Sequence, residues 1–188
     1  MTQPKIRAVL VRGARVEDAD AIERIRTDTW REAYRGLMPD SLLDGLGYDS
    51  TRRRALMSAM PPHQFVLVAE DEGAVVGFCM GGRSRSPDDQ FRGEVYAIYV
   101  LPEHQGHGIG RALLNTAAKE LVDRDLGSMI IWVLRENAPS RRFYERMAGV
   151  WVRDEERELD GVRVTESAYG WPDISRSFGG SSGSVQRM

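Results

Sequence analysis

The sequence has very little cysteine and no long hydrophobic run. Its single cysteine, Cys79, can form no disulfide within the chain, and no Cys-x-x-Cys motif or mixed cysteine and histidine cluster is present to hold a structural metal. The amino-terminal residues lack the apolar segment of a signal peptide, and no apolar run approaches the roughly 20 residues that a membrane span needs. We therefore expect a cytoplasmic protein with no membrane association.

An excess of charge of either sign is also absent. The chain has 26 basic and 28 acidic residues, which gives a formal net charge of -2 at pH 7. A balance of this kind lacks the positive field that non-specific nucleic-acid binding uses, so nucleic acid is not expected as a partner. His104 and His107 lack the spacing of a zinc-binding helix pair and have no third ligand in view, so no metal is expected.

The 188 residues, of which 41% are hydrophobic, are typical of a single domain. Apolar patterning predicts a strand over residues 8–12, a helix over 21–34, two short helices between 40 and 61, and a hairpin of strands over 65–70 and 74–78. The residues from 173 onward are rich in serine and glycine, which predicts a flexible tail over 173–188.

The middle of the chain reads as a strand, a helix and a second strand. A strand-like run ends at Val100, apolar residues recur at helical spacing over 108–123, and an uninterrupted apolar run covers 129–134. This order predicts a βαβ unit with two parallel strands. A helix over 139–147 and a second hairpin, over 150–158 and 162–169, complete a mixed sheet of the α/β class.

The segment that carries most chemical information lies between that strand and its helix. Gly106, Gly108 and Gly110 alternate there just before the amphipathic helix. Glycine allows a close backbone approach, and the free N–H groups of a helix's first turn attract anions, so a pyrophosphate is the natural ligand. The P-loop motif is absent, and Arg111 occupies the position of the third glycine of a Rossmann motif.

The motif Gln105-x-x-Gly108-x-Gly110 resembles the acetyl-CoA pyrophosphate signature of the GCN5-related N-acetyltransferase (GNAT) family. Residues 135–147 resemble the next strand, loop and helix of that family, with Asn137 and Tyr144 in the usual places. The resemblance implies a GNAT domain over residues 6–172. It also implies a mixed sheet of about seven strands flanked by about four helices, with a V-shaped splay between strands 4 and 5.

The resemblance further implies that acetyl-CoA is the cosubstrate. The main chain at the end of strand 4 would pair with the pantetheine arm, and the glycine-rich loop would supply N–H groups to the pyrophosphate. The implied cofactor-binding residues are Ile98, Tyr99, Val100, Gln105, Gly106, His107, Gly108, Ile109, Gly110, Arg111, Asn137 and Tyr144.

Two residues are predicted to act in catalysis, and two more to shape the acceptor site. Tyr144 would protonate the departing CoA thiolate as general acid, and Glu94 would take a proton from the attacking ammonium, directly or through water. Trp30 and Tyr34 lie four residues apart in the region that shapes the acceptor site in this family. The plainer alternatives are core packing for the three aromatic residues and a solvated charge for Glu94.

These features predict an acetyl-CoA-dependent N-acetyltransferase in which a primary amine attacks the thioester directly in a ternary complex. A main-chain N–H near Val100 would stabilise the oxyanion. Two alternatives stay open: a catalytically silent CoA-binding or regulatory module, and an enzyme that acts on a protein N-terminus or peptide instead of a small amine. Members of this family often form dimers, so the resemblance also suggests a homodimer.

Overall fold

A mixed sheet of seven strands forms the centre of the protein, in the spatial order β1-β2-β3-β4-β5-β7-β6. The computed structural model describes residues 9–85, 90–159 and 161–179. Every neighbouring pair of strands is antiparallel except β4 with β5, which is parallel. The strands are β1 (Leu10–Gly13), β2 (Gln64–Asp71), β3 (Ala74–Arg83), β4 (Gly93–Val100), β5 (Met129–Leu134), β6 (Val150–Leu159) and β7 (Val162–Trp171).

Within these described ranges, six α-helices flank the sheet: α1 (Ala19–Ala33), α2 (Asp40–Gly45), α3 (Thr51–Ser58), α4 (Ile109–Val122), α5 (Ala138–Arg146) and α6 (Ile174–Phe178). The helix α4 forms the crossover between the two parallel strands. Its apolar side chains at helical spacing, among them Leu113, Ala117 and Leu121, have no exposed surface and form part of the main core.

The parallel pair β4 and β5 is joined over only three residues of each strand. Gly93, Glu94 and Val95 pair with Met129, Ile130 and Ile131, although both strands continue beyond these positions. From Tyr96 onward, the edge of β4 that faces β5 has no strand partner. The V-shaped splay is therefore confirmed, and it opens toward the carboxyl ends of the two strands.

A β-bulge in β4 lies where the splay begins. Val95 pairs with Gly81 and Ala97 pairs with Met80, so Tyr96 is left as an extra residue between them. A bulge bends its strand and increases the local twist. The bulge thus coincides with the last pair between β4 and β5.

The fold expected from the sequence is confirmed, with six helices where the resemblance implies about four. The residue patterns predicted five of the six, and the helix that they missed is α6, which lies within the predicted tail of residues 173–188. Its Ile174 is 1% exposed, and the Phe178 ring packs 6.0 Å from that of Trp171. The serine-rich and glycine-rich composition gives no sign of this helix, because two apolar residues are enough to anchor it to the core. Residues 1–8 and 180–188 lie outside the described residues, so the predicted domain start at residue 6 and most of the tail do as well.

Candidate active site

A cavity of about 1240 Å³ occupies the splay. Its lining comes from both faces of the sheet: Gly108 and Tyr144 belong to the side of α4 and α5, whereas Trp30 and Trp132 belong to the opposite side. A cavity open to both faces of a sheet can hold two molecules that meet in the middle. We call the two parts the helix α4 side and the acceptor side.

On the helix α4 side, the loop before α4 holds its glycines in a conformation that other residues rarely adopt. Gly106 has φ 76° and Gly108 has φ 83°, and both line the cavity. Among the described residues, no main-chain hydrogen bond is donated by residues 106 to 111. A row of free N–H groups at the start of a fourteen-residue helix is an arrangement that favours anion binding.

Side chains around this loop fit the same ligand. The side-chain amide of Gln105 donates from Nε2 to the carbonyl oxygen of Val100 at 3.0 Å and so fixes the loop to the end of β4. Arg111 and Arg146 line this part of the cavity and add positive charge. The His107 side chain is exposed and that of Ile109 is buried in the core, so neither lines the cavity among the described residues. Only their main-chain N–H groups are available to a ligand there.

The predicted pantetheine-binding residues Ile98, Tyr99 and Val100 all line the cavity. On the β3 side they are paired with Cys79, Phe78 and Gly77. Their other edge lies beyond the last pair with β5, so main-chain groups there are available to an extended ligand.

Tyr144 is 5% exposed and lines the cavity from α5. Its ring packs against those of Phe143, Tyr169 and Trp171, with centroid distances of 5.4, 5.9 and 6.3 Å. Burial raises the pKa of its phenol far above the usual value, and the nearby Tyr99 adds to the effect. The phenol therefore keeps its proton at any working pH, as a general acid requires.

Asn137 lines the cavity and also caps the helix α5. It is 7% exposed, and its Oδ1 accepts a hydrogen bond from the main-chain N–H of Ser140 at 3.2 Å. This bond caps α5, whose second residue is Pro139. Asn137 thereby helps to position the helix that carries Tyr144.

On the acceptor side, Trp30 and Tyr34 contact one another and Tyr99. Trp30 donates from Nε1 to the Tyr99 hydroxyl at 2.9 Å, and the Trp30 and Tyr34 rings meet edge to face at 5.1 Å. Burial raises the pKa of Tyr34, with a further contribution from Tyr99. Both predicted acceptor residues line the cavity and also belong to a small core cluster, so packing and pocket formation are compatible here.

Glu94 occupies a different position from the one its predicted role suggests. It is 1% exposed and is absent from the described lining of the cavity. Its carboxylate accepts hydrogen bonds from the main-chain N–H of Arg85 at 2.8 Å and from the Arg85 Nε at 3.0 Å. Glu94 therefore positions Arg85, which does line the cavity, and its role as general base stays a prediction.

Sequence reasoning missed Glu166, which is the carboxylate of β7 that lines the cavity. Burial raises the pKa of its carboxyl, while the positive charges of Arg157 and Arg85 oppose that shift. Strand alternation places Glu166 on the same face as Val164 and Ala168. The sequence did contain a signal for this residue, because a glutamate between two apolar residues on one face of a predicted strand is unusual.

Comparison with known proteins agrees with this geometry. The sequence profile of the Acetyltransferase (GNAT) family matches residues 20–150. The chain belongs to the GNAT acetyltransferase family. Among its relatives is the uncharacterised N-acetyltransferase YuaI of Bacillus subtilis (strain 168), which is 39% identical over 172 residues, covering 89% of this chain and 95% of YuaI.

The solved structures to which this GNAT protein is similar include one with bound acetyl-CoA. YncA of Salmonella typhimurium, whose structure contains acetyl-CoA, is 26% identical with a TM-score of 0.69, covering 89% of this chain and 94% of YncA. A ribosomal-protein-alanine N-acetyltransferase of Brucella melitensis is also 26% identical, with a TM-score of 0.68, covering 86% of this chain and 98% of that one.

The protein is therefore an N-acetyltransferase that uses acetyl-CoA. The free N–H groups of residues 106 to 111 fit the pyrophosphate, and the unpaired edge of β4 fits the pantetheine arm. In the described parts of the chain, no group of three or more histidine, cysteine or acidic residues could hold a metal ion. No described helix is long and apolar enough to span a bilayer.

Proposed function

We propose that this GNAT enzyme acetylates a primary amine by direct transfer, with acetyl-CoA on the helix α4 side of the cavity and the amine on the acceptor side. The observation that carries the proposal is the cavity itself. It joins the anion site before α4 to an aromatic and charged pocket on the other face of the sheet, and Tyr144 lines it near Tyr99.

Acetyl-CoA supplies the acetyl group as a thioester. The amine nitrogen bonds to the acetyl carbon and the carbon–sulfur bond breaks. The amine gives up a proton to a carboxylate, and Tyr144 gives its phenolic proton to the leaving sulfur. Holding both reactants in one cavity converts the encounter into an effectively unimolecular step. Main-chain N–H groups at the free edge of β4 stabilise the charge that develops on the carbonyl oxygen.

Glu166 is the proton acceptor that the geometry favours. It lines the cavity, and its raised pKa makes it a stronger base than an ordinary glutamate. Glu94 accepts three hydrogen bonds from Arg85. In this scheme Glu94 acts by holding Arg85.

The experiment that tests this assignment compares three glutamine variants in a thiol-release assay. Glu166→Gln is expected to lower kcat about 100-fold and to remove the acidic limb of the pH profile of kcat, because the group that must be ionised is gone. In the wild-type enzyme that limb lies above the ordinary glutamate pKa of about 4.3, since the carboxyl pKa is raised.

The matched control is Glu156→Gln, an exposed position on the neighbouring strand, which should leave kcat unchanged. Glu94→Gln is expected to act mainly on the KM for the amine, because it releases Arg85. If Glu94→Gln abolishes the acidic limb and Glu166→Gln keeps it, the base is Glu94 and the assignment is wrong.

A further inference from the structure

Two arginines reach the acceptor side of the cavity, each stacked on an aromatic residue that also lines it. The guanidinium carbon of Arg157 lies 3.8 Å from the centroid of Trp132, and that of Arg85 lies 4.4 Å from the centroid of Tyr96. Stacking on a ring fixes the plane of a guanidinium and so prepares it for bidentate binding of an oxyanion.

The carboxylates that form hydrogen bonds with these arginines do not face the cavity. Arg85 is held by Glu94, and Arg157 donates from Nη2 to Glu155 at 3.0 Å. Neither glutamate belongs to the described cavity lining, and among the described residues no hydrogen bond uses the Nη1 atom of Arg85 or Arg157. The two arginines are thus held on one side and present donors on the other.

Glu32, Glu136 and Glu158 also line the cavity, and Glu166 adds a negative charge close to both cations. Its Oε2 atom lies 3.6 Å from the Nε atom of Arg157, which is too long for a strong hydrogen bond. The strand register explains the grouping. Trp132 pairs with Ala168 and Arg157 pairs with Val164, so both share a sheet face with Glu166.

The acceptor side also contains polar atoms that lack a partner. The indole N–H of Trp132 and the hydroxyl of Thr29 are both buried, and neither forms a hydrogen bond within the described structure. Both residues line the cavity. An indole N–H can only donate, so the partner that it lacks is a hydrogen-bond acceptor such as a carboxylate oxygen.

We propose that the acceptor is a small zwitterion, an amine that carries a carboxylate or another oxyanion, with Arg85 and Arg157 binding the anion and Glu166 facing the amine. This inference rests on the proposed function and narrows its substrate class. Polyamines and aminoglycosides, which carry only positive charge, would meet two arginines in this pocket. A peptide N-terminus lacks the adjacent carboxylate.

The test is a thiol-release assay with matched acceptors. The probes are the proteinogenic L-amino acids, β-alanine and 2-aminoethylphosphonate, followed by the carboxamide and the decarboxylated amine of the best substrate. Rates are compared per concentration of unprotonated amine, because the carboxamide lowers the amine pKa. Removing the anion is expected to lower kcat/KM about 50-fold, as for loss of charged hydrogen bonds.

Two variants locate the effect. Arg157→Gln should abolish the preference for the acid over its carboxamide, whereas Arg163→Gln should keep it. Arg163 is an exposed residue of the same hairpin and is absent from the described lining. Both variants therefore remove one positive charge, but only Arg157→Gln removes it from the cavity lining.

Turnover of spermidine, an aminoglycoside or an amidated peptide in preference to every zwitterion would overturn this inference and leave the proposed function intact. Equal preference in the Arg157→Gln and wild-type enzymes would also overturn it. Bound acetyl-CoA without turnover of any amine would overturn both.

Discussion

Tyr144→Phe is expected to lower kcat about 100-fold or more while the affinity for acetyl-CoA stays the same, because the substitution removes only the proton that the leaving sulfur takes. The ring is buried among three other aromatic rings, so phenylalanine fills the same space. Burial holds the phenol pKa far above its usual value, so no alkaline limb from Tyr144 is expected in the wild-type profile. Single-turnover acetyl transfer and calorimetric titration with acetyl-CoA measure the two quantities separately.

The matched control is Tyr169→Phe, which removes a hydroxyl from the same aromatic cluster. That hydroxyl donates to the Glu145 Oε1 atom at 2.8 Å and accepts from the Arg141 Nε atom at 3.1 Å, and Tyr169 is absent from the described lining. Its loss should reduce stability and leave kcat within a few-fold. Equal losses of kcat in the two variants would show that the cluster supports folding and that Tyr144 is not the acid.

The double variant Gly106→Ala/Gly108→Ala is expected to weaken acetyl-CoA binding about 100-fold. Alanine disfavours the left-handed conformation by about 1–2 kcal/mol at each position, so the free loop relaxes and binding must restore it. Each tenfold loss of affinity corresponds to about 1.4 kcal/mol. Calorimetric titration measures the dissociation constant.

Two other glycines supply a control with equal backbone strain. Gly73 and Gly161 lie in hairpin turns with φ 82° and 79°, and a Cβ atom at any of the four glycines would meet nothing within 4 Å. Gly73→Ala/Gly161→Ala should therefore lower the free energy of unfolding without changing the affinity for acetyl-CoA. If both double variants bind acetyl-CoA equally well, the glycine-rich loop is not the pyrophosphate site.

Local patterns in the sequence were enough to predict most of the fold. The apolar run that ends at Val100, the helical spacing after Gly108 and the second run over 129–134 predicted the parallel pair, which the structure confirms. Each of these signals is local, because strand alternation and helical spacing are read within about ten residues. The bulge at Tyr96, which begins the splay, depends on a register with β3 that local patterns do not specify.

The helix α4 side of the site was also accessible to sequence reasoning, because main-chain groups in a glycine-rich loop form it. The acceptor side was not. Glu166, Arg157 and Trp132 come from three different strands and meet only through strand pairing. Glu94 was predicted from its place on β4, but its burial against Arg85 depends on the end of β3 and the residues that follow it.

The most direct test of this account follows an isotopically labelled acetyl group by mass spectrometry. The wild-type protein is incubated with labelled acetyl-CoA and a panel of amino acids, polyamines, aminoglycosides and peptides. The masses of the small-molecule products and of the intact protein are then measured. Direct transfer predicts labelled N-acetyl amine and free CoA in equal amounts, with the mass of the protein unchanged. Bound acetyl-CoA with no labelled amine from any class would contradict the account and identify the protein as a CoA-binding module without transfer activity.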